Sequence, residues 1–166
     1  MATTTSGVSL TLNGHYAQCP KTIPSSEGLP LRTELVLERS EKRTVKVHWW
    51  HNPDPISSKP HNHPWNFKSK ILHGGYTEQV WWIKNGVVRT ETRTYKAGDT
   101  NVNTIDRFHK VISVQPGTVS IMTTGQASKN NAWGWLDIET GKYTLATFDP
   151  KSPFVKDLKR LNPWMT

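Results

Sequence analysis

The chain has 166 residues, a formal net charge of +8, an apolar content of 34% and a charged content of 20%. This length predicts one domain, and no segment approaches the roughly 20 consecutive apolar residues that a transmembrane helix needs. The single cysteine, Cys19, excludes an intramolecular disulfide and an all-cysteine zinc site. Because the first residues lack the charged start and apolar core of a secretory signal, we predict a soluble, cytoplasmic protein.

The eight tryptophans argue for a packed core, because disordered chains are poor in aromatic residues. The positive charge is compatible with nucleic acid, an acidic surface or an anionic small molecule as the partner. Basic residues are interspersed with acidic ones, and no RNA-binding sequence motif is present, so we do not favour nucleic acid.

Alternating apolar residues and frequent turn signals predict about nine or ten short strands, in an antiparallel sandwich or barrel. Gly74-Gly75 and Asn85-Gly86 are typical of hairpin turns. The strand candidates, in chain order, are residues 31–37, 44–50, 67–73, 76–83, 87–95, 100–105, 108–114, 119–123, 132–138 and 142–148, apart from at most one short strand at 8–12 in the N-terminal segment.

The same patterns divide the chain into three segments. Residues 1–30, rich in Thr, Ser, Gly and Pro, are predicted to form an arm with at most one strand. Residues 31–150 are predicted to form the barrel, and residues 151–166 a tail with a short helix at 154–161.

A pair of histidines, His61 and His63, is the sharpest chemical signal in the sequence. On a strand, residues two apart project to the same face, so both imidazoles can reach one metal ion. A third ligand must come from elsewhere, and His109 opens a strand that follows the Gly98-Asp99 turn. The plainer alternative is a proline-rich loop in which the two histidines bind nothing.

The segments "PHNHPWNFKSKILHGGYTE" at 60–78 and "YKAGDTNVNTIDRFHKV" at 95–111 resemble the two motifs of the cupin superfamily, which comprises RmlC-like jelly-roll proteins. The pairing of HxHPWxF with a Leu-x-Gly-Gly-Tyr turn resembles one subgroup in particular. This resemblance implies an all-β, single-domain antiparallel jelly-roll barrel. It also implies a metal site at His61, His63 and His109.

One position departs from the cupin pattern, because Phe67 occupies the slot of the usual metal-binding glutamate. A site of three histidines with open positions is therefore predicted. Glu78 is the nearest acid, and it is a candidate fourth ligand or general base. Tyr76 is a candidate donor of a proton or hydrogen bond.

Three further residues are candidates for substrate binding. Trp65 could wall the pocket, and Arg107 could hold a substrate carboxylate bidentately. His73 shares the strand parity of Phe67, which predicts that it points into the barrel. His48 and His51 form a weaker ligand pair, because their spacing of three suits a helix face and not a strand.

The resemblance favours Fe(II) as the cofactor, since cupins with three-histidine sites include small-molecule dioxygenases; Zn, Ni, Mn and Cu are the other candidates. The predicted function is a mononuclear non-haem Fe(II) oxygenase acting on a small anionic or aromatic molecule. The first alternative is a lyase or isomerase that uses the metal as a Lewis acid, with Glu78 or Tyr76 as base or acid. The others are a non-catalytic module that binds a small molecule or single-stranded nucleic acid, and a degenerate cupin.

The predicted partner is a small-molecule substrate, and no membrane partner is expected. Exposed strand edges and the threonine-rich arm would suit a homodimer.

Overall fold

The fold was analysed in a computed structural model that describes residues 10–12, 15–17, 19–128, 132–147 and 149–164. Thirteen strands and one helix occur among these residues. The strands are β1 (Leu10–Leu12), β2 (His15–Ala17), β3 (Lys21–Pro24), β4 (Pro30–Arg39), β5 (Thr44–Trp50), β6 (Phe67–His73), β7 (Gly75–Lys84), β8 (Val87–Lys96), β9 (Thr100–Asn103), β10 (Phe108–Val114), β11 (Val119–Thr124), β12 (Gly134–Leu136) and β13 (Tyr143–Leu145), and the helix is α1 (Pro153–Leu161).

Two main sheets, both antiparallel, form the walls of the molecule. The larger has the strand order β3-β4-β5-β11-β6-β9, and the smaller has the order β10-β7-β8. The pairs β1-β2 and β12-β13 form two small additional sheets. This arrangement confirms the predicted all-β, antiparallel jelly-roll architecture.

The core lies between the two main sheets. Ile71 from β6, Tyr76 from β7 and Val111 from β10 form one buried cluster, against which Trp50 from β5 also packs. Phe67, Ser69 and Ile71 alternate with exposed residues along β6, so one face of this strand points into the core. Trp50, one of the eight tryptophans of this polar chain, thus contributes to the packing of its core.

Most strand predictions are confirmed in position, and β5, β6 and β10 have the predicted bounds. The Asn85-Gly86 hairpin is also confirmed, because both residues have positive φ angles of 52° and 73°. The prediction for residues 1–30 was wrong in one respect, since three strands occur there instead of at most one. The prolines that flank β3 obscured it, but an edge strand paired only with β4 tolerates them. Residues 8 and 9, part of a predicted strand, lie outside the described residues, as does residue 148.

Helix α1 fastens the end of the chain to the edge of the larger sheet. Ser152 caps the helix, since its side chain accepts a hydrogen bond from the backbone of Val155. The amide side chain of Asn162, just after the helix, bonds both backbone groups of Thr22 on β3, at 2.6 and 2.7 Å. No helix within the described ranges is long and apolar enough to span a bilayer.

Candidate metal centre

The segment that carries His61 and His63 is held beside β10 by backbone pairing. The N–H group of His61 donates to the carbonyl of His109 at 3.1 Å, and the N–H group of His109 donates back at 2.8 Å. Pro60 and Pro64 flank the segment, and since proline has no N–H donor, a longer ladder cannot form there. This short bridge brings His61 next to His109, as the sequence prediction requires.

Asn62, between the two histidines, anchors the segment on its other side. Its side-chain oxygen accepts a hydrogen bond from the backbone of Gly134 at 2.8 Å, and its side-chain nitrogen donates to the carbonyl of Ile105 at 3.1 Å. Its own backbone N–H donates to the carbonyl of Gly134. Since Asn62 points away from the two imidazoles, alternation turns His61 and His63 toward the core.

The three imidazoles of His61, His63 and His109 converge on one point. Their ring centroids are 4.8 to 5.1 Å apart, and one nitrogen from each ring lies within 4.8 Å of the other two. The Nε2 atoms of His63 and His109 are 3.0 Å apart. Two nitrogens that bind one metal ion at about 2.1 Å stand roughly 3.0 to 3.4 Å apart, so this pair already has a coordinating separation.

The protonation states of these histidines also suit a metal ion. Burial lowers the pKa of His61 and of His63 well below the usual value, and the neighbouring His109 lowers both further. A metal ion binds only the neutral imidazole, so both rings are ready for ligation at neutral pH. The donor set therefore fits a divalent transition metal.

Glu78 lies directly behind His109. One of its carboxylate oxygens, Oε2, is 3.0 Å from Nδ1 of His109, and the side chain is fully buried. With Nδ1 committed as the donor to this carboxylate, Nε2 is the atom that faces His63. The structure thus places Glu78 as the orienting partner of one ligand, and it does not bring Glu78 into the group of three ligand atoms.

A buried polar network holds the other oxygen of Glu78. The side-chain amide of Asn101 donates to Oε1 of Glu78 at 3.0 Å and to the hydroxyl of Tyr76 at 2.9 Å. Tyr95 also donates to Oε1 at 3.3 Å. Burial raises the pKa of Tyr76 above its usual value, and Glu78 raises it further, so the Tyr76 phenol keeps its proton at neutral pH.

An interior cavity of about 30 Å³ adjoins the three histidines. It has room for about two water-sized groups. Residues of both main sheets line the cavity. They include Arg32, His48 and Trp50 from β4 and β5, and Ser69, Tyr76 and Asn101 from β6, β7 and β9. A larger open groove of about 530 Å³ borders Asn62, but it contains none of the three histidines.

Two aromatic residues named by the sequence surround His63. The ring of Trp65 stacks on that of His63, with centroids 5.9 Å apart, and the ring of Phe67 meets it edge-on at 5.4 Å. Phe67 also lies 5.6 Å from the ring of His109. The slot of the usual cupin glutamate is thus apolar, and its ring packs against two of the three histidines.

Arg107 and His73 were predicted to face the site, and the structure places both elsewhere. The guanidinium of Arg107 lies 4.3 Å above the ring of Trp82, outside the cavity. Arg107 would face the same side as His109 only if both lay on one strand, but Arg107 belongs to a turn and β10 begins only at Phe108. His73 is exposed, and its Nδ1 atom contacts the carbonyl oxygen of Gly117.

The parity of His73 fails for a different reason. Val119 of β11 pairs with His73, while the next residue, Ser120, pairs with Ile71, so Leu72 is an extra residue on β6. Such a bulge breaks the alternation of side chains. Leu72 and His73 are accordingly both exposed.

Residues that sequence reasoning missed complete the site. Asn62 and Asn101 stand at unspecified positions of the two cupin-like segments, and Arg32 lies in a strand that carried no chemical signal. His48 was considered only as a metal ligand, whereas the structure places it in the cavity wall and outside the three-histidine group. The alternation of the predicted strand Thr44–Trp50 was the signal that could have shown that His48 faces the core. The structure does bury His48 in this strand.

The comparisons with known proteins are consistent with this fold. No protein-family model and no curated protein matches the chain. Among solved structures, HEPD from Streptomyces albus, with 2-hydroxyethylphosphonate and Fe(II) bound, aligns with a TM-score of 0.50 and 16% identity. The alignment covers 68% of this chain and 24% of that one.

Two smaller proteins align over most of their own length. KdgF from Halomonas sp. has a TM-score of 0.47 and 14% identity, with 61% of this chain and 86% of that chain covered. An RmlC-like cupin from Shewanella frigidimarina has a TM-score of 0.45 and 17% identity, with coverages of 66% and 87%. The resemblance to the cupins is confirmed at the level of the fold.

Proposed function

We propose that this chain is a metal-dependent enzyme that acts on a small anionic molecule, with the metal held by His61, His63 and His109. The observation that carries the proposal is the 3.0 Å separation of the Nε2 atoms of His63 and His109, with Glu78 fixed on the far side of the second ring. A carboxylate behind a histidine is the usual way in which proteins orient a ligand and raise its basicity.

Fe(II) is the metal that we favour. Three neutral imidazoles leave further coordination positions free, and the structural neighbour HEPD has Fe(II) bound. When bound, such an ion supplies redox chemistry with O₂ beside the substrate. The proposed reaction class is therefore an oxygenase or dioxygenase.

The residues of this chain have separate roles in that reaction. Glu78 holds the proton of His109 at Nδ1 and keeps Nε2 as a ligand. Trp65 and Phe67 pack against the ring of His63 and hold its orientation. Tyr76 retains its proton and lines the same cavity, so it can donate a hydrogen bond to the substrate.

The protonated phenol of Tyr76 also favours a second candidate function. A lyase or isomerase needs a proton donor near the metal, and the metal would then polarise the substrate without changing its oxidation state. Zinc separates the two candidates, because it is a Lewis acid without redox chemistry.

The test begins with protein purified without added metal. We expect the anaerobic chain to bind one equivalent of Fe(II), and a panel of small carboxylates and phenols to include a compound that causes O₂ uptake. Activity retained with Zn(II), with no O₂ uptake, would instead support the lyase or isomerase. His63→Ala is expected to lose the metal, whereas the matched variant His73→Ala, at an exposed histidine, should keep it. If the wild-type chain binds no transition metal, both candidates are excluded.

A further inference from the structure

On the side of the larger sheet, the cavity wall carries a cluster of polar residues that have no part in metal binding. We infer that Arg32 and His48 form an anion subsite, which binds the carboxylate group of a small substrate beside the three histidines. The inference rests on the proposed function in one respect, because it names the class of molecule that the site takes.

His48 is the first observation. Its side chain is 1% exposed and lines the cavity, yet neither ring nitrogen has a hydrogen-bond partner among the described residues. The nearest carboxylate oxygen, Oε1 of Glu34, is 3.6 Å from Nε2, which is too long for a hydrogen bond. A neutral imidazole always carries one N–H donor and one acceptor, and buried groups of this kind almost always find partners. A polar group of a ligand in the cavity would supply the missing hydrogen-bond partner of His48.

Arg32 is the second observation, and it stands on the neighbouring strand. Its guanidinium lies 5.5 Å from the ring of Trp50, and its Nε and Nη2 atoms both lie close to Oε1 of Glu34, at 3.1 and 3.0 Å. The contact with Glu34 does not use the Nη1 atom, and Arg32 lines the cavity. The guanidinium is thus held by Glu34 and Trp50 at the cavity wall.

The charges around this wall favour an anion. The carboxylate of Glu34 lies between two cations, since Arg32 and Lys46 both contact it, the Lys46 ammonium at 3.1 Å. Burial acts to raise the pKa of Glu34, but the charges of Arg32 and Lys46 outweigh it and hold that pKa well below its usual value. One positive charge therefore remains on this wall.

The two acids elsewhere in the cavity wall already have partners. Glu78 is bonded to His109 and Asn101, and Oδ2 of Asp54 accepts a hydrogen bond from the backbone of Val111 at 2.7 Å. Neither acid contacts Arg32 or His48, whose donors therefore stay available to a ligand on this side of the cavity.

The size of the cavity selects a carboxylate among oxoanions. A volume of about 30 Å³ admits about two water-sized groups, which suits a planar carboxylate better than a tetrahedral phosphate or phosphonate. A guanidinium edge and an imidazole N–H are also standard donors to carboxylate oxygens. The substrate class is therefore a small carboxylic acid whose reacting end faces the three histidines.

The experiment uses the full chain in metal-free and Zn(II)-loaded forms, with pyruvate as the probe and pyruvamide as its neutral analogue. Calorimetry measures the dissociation constant, and the imidazole ¹⁵N shifts of His48 report whether its ring nitrogens gain a partner. We expect pyruvate to bind both forms and move the His48 signals, and pyruvamide to bind at least about tenfold more weakly. Phosphate and methylphosphonate should bind more weakly than pyruvate.

Substitutions then assign the binding to the subsite. Arg32→Met should weaken pyruvate binding by about tenfold or more, whereas Arg43→Met, at an exposed arginine, should leave it unchanged. His48→Asn should weaken it as well, with His51→Asn as the control. If His48→Asn does not fold, Arg32→Met and the wild-type ¹⁵N shifts still decide the outcome.

Three results would overturn the inference. They are equal binding of pyruvate and pyruvamide, unchanged binding in Arg32→Met, and His48 signals that pyruvate does not move, which would mean that a structural water is its only partner. Failure of the proposed function looks different, since a chain that takes up no Zn(II) can still bind pyruvate in the metal-free arm. Metal uptake without carboxylate binding would overturn the subsite alone.

Discussion

The Nδ1 atom of His109 and the Oε2 atom of Glu78 lie 3.0 Å apart, with the carboxylate completely buried and the ring almost so. This contact joins β10 to β7, the central strand of the smaller sheet. It makes the orientation of one metal ligand a property of the core and not of a surface loop. A site built in this way has little freedom to adjust.

The substitution Glu78→Gln tests that relationship. The amide has the same shape but no charge, so we expect the chain to fold and its affinity for Zn(II) to fall by about 10- to 100-fold. Competition with a chromophoric chelator measures the affinity. Glu91→Gln, at an exposed glutamate paired with Arg93 on β8, is the control and should bind Zn(II) as the wild type does. Equal affinities in the two variants would contradict the role of Glu78.

Asn62→Ala tests the anchor of the ligand segment. The change removes the hydrogen bonds to Gly134 and Ile105, so we expect a loss of about 1 to 3 kcal/mol in the free energy of unfolding and weaker Zn(II) binding. Urea denaturation and chelator competition measure the two effects. Asn52→Ala, which removes a single exposed hydrogen bond to Pro30, should change neither by as much. A destabilised variant with unchanged metal affinity would show that Asn62 does not position the histidines.

Asn101→Ala removes the centre of the buried network. Oε1 of Glu78 and the hydroxyl of Tyr76 would each lose a donor, and we expect the free energy of unfolding to fall by at least about 2 kcal/mol. Urea denaturation of the metal-free protein measures the loss. Val102→Ala, at the next and half-exposed position of β9, is the control, for which we expect a change below about 1 kcal/mol. Similar losses in both variants would argue against a special role for the network.

The stability of the metal-free protein should depend on pH through His48. Burial, together with the charge of Arg32, lowers the pKa of His48 to about 3, whereas the unfolded chain has the ordinary value of 6.5. Between these two values the unfolded state binds the extra proton, so stability is lost as the pH falls below 6.5. The loss due to this group is up to about 1.4 kcal/mol per pH unit.

Urea denaturation between pH 7 and pH 4 measures this dependence. His48→Asn should make the pH profile less steep without abolishing it, because burial also lowers the pKa values of His61 and His63. His51→Asn, at an exposed histidine, should leave the profile as it is in the wild type. A His48→Asn profile as steep as that of the wild type would refute the assignment.

The sequence was sufficient to predict most strands and the three histidines, because period-two alternation and the His-x-His spacing are local signals. It did not predict every strand pairing, since the hairpin expected at Gly74-Gly75 does not form and β6 and β7 lie in different sheets. It was insufficient where the chain leaves regular geometry. The parity of His73 was lost at the bulge of Leu72, and that of Arg107 was lost in a turn before β10. A bulge depends on how two strands that are distant in the chain pair, so the sequence of one strand does not predict it.

The residues that support the site were harder to predict than its ligands. Asn62 and Asn101 act through partners that lie far away in the chain, such as Gly134 for Asn62. Polar residues of this kind are common in loops and on strand surfaces, so their type alone does not distinguish them. Only the tertiary contacts show that Asn101 is 1% exposed and bonded to two side chains of the site.

The bond between Asn162 and Thr22 has a consequence for association between copies of the chain. Unpaired edge strands invite another strand to add to the sheet, and proteins usually block such edges. The Asn162 amide occupies both outward backbone groups of Thr22, so β3 cannot accept a strand there until the tail is displaced. Association of two copies through a sheet edge would therefore have to use another strand, such as β8 or β9 at the other edges.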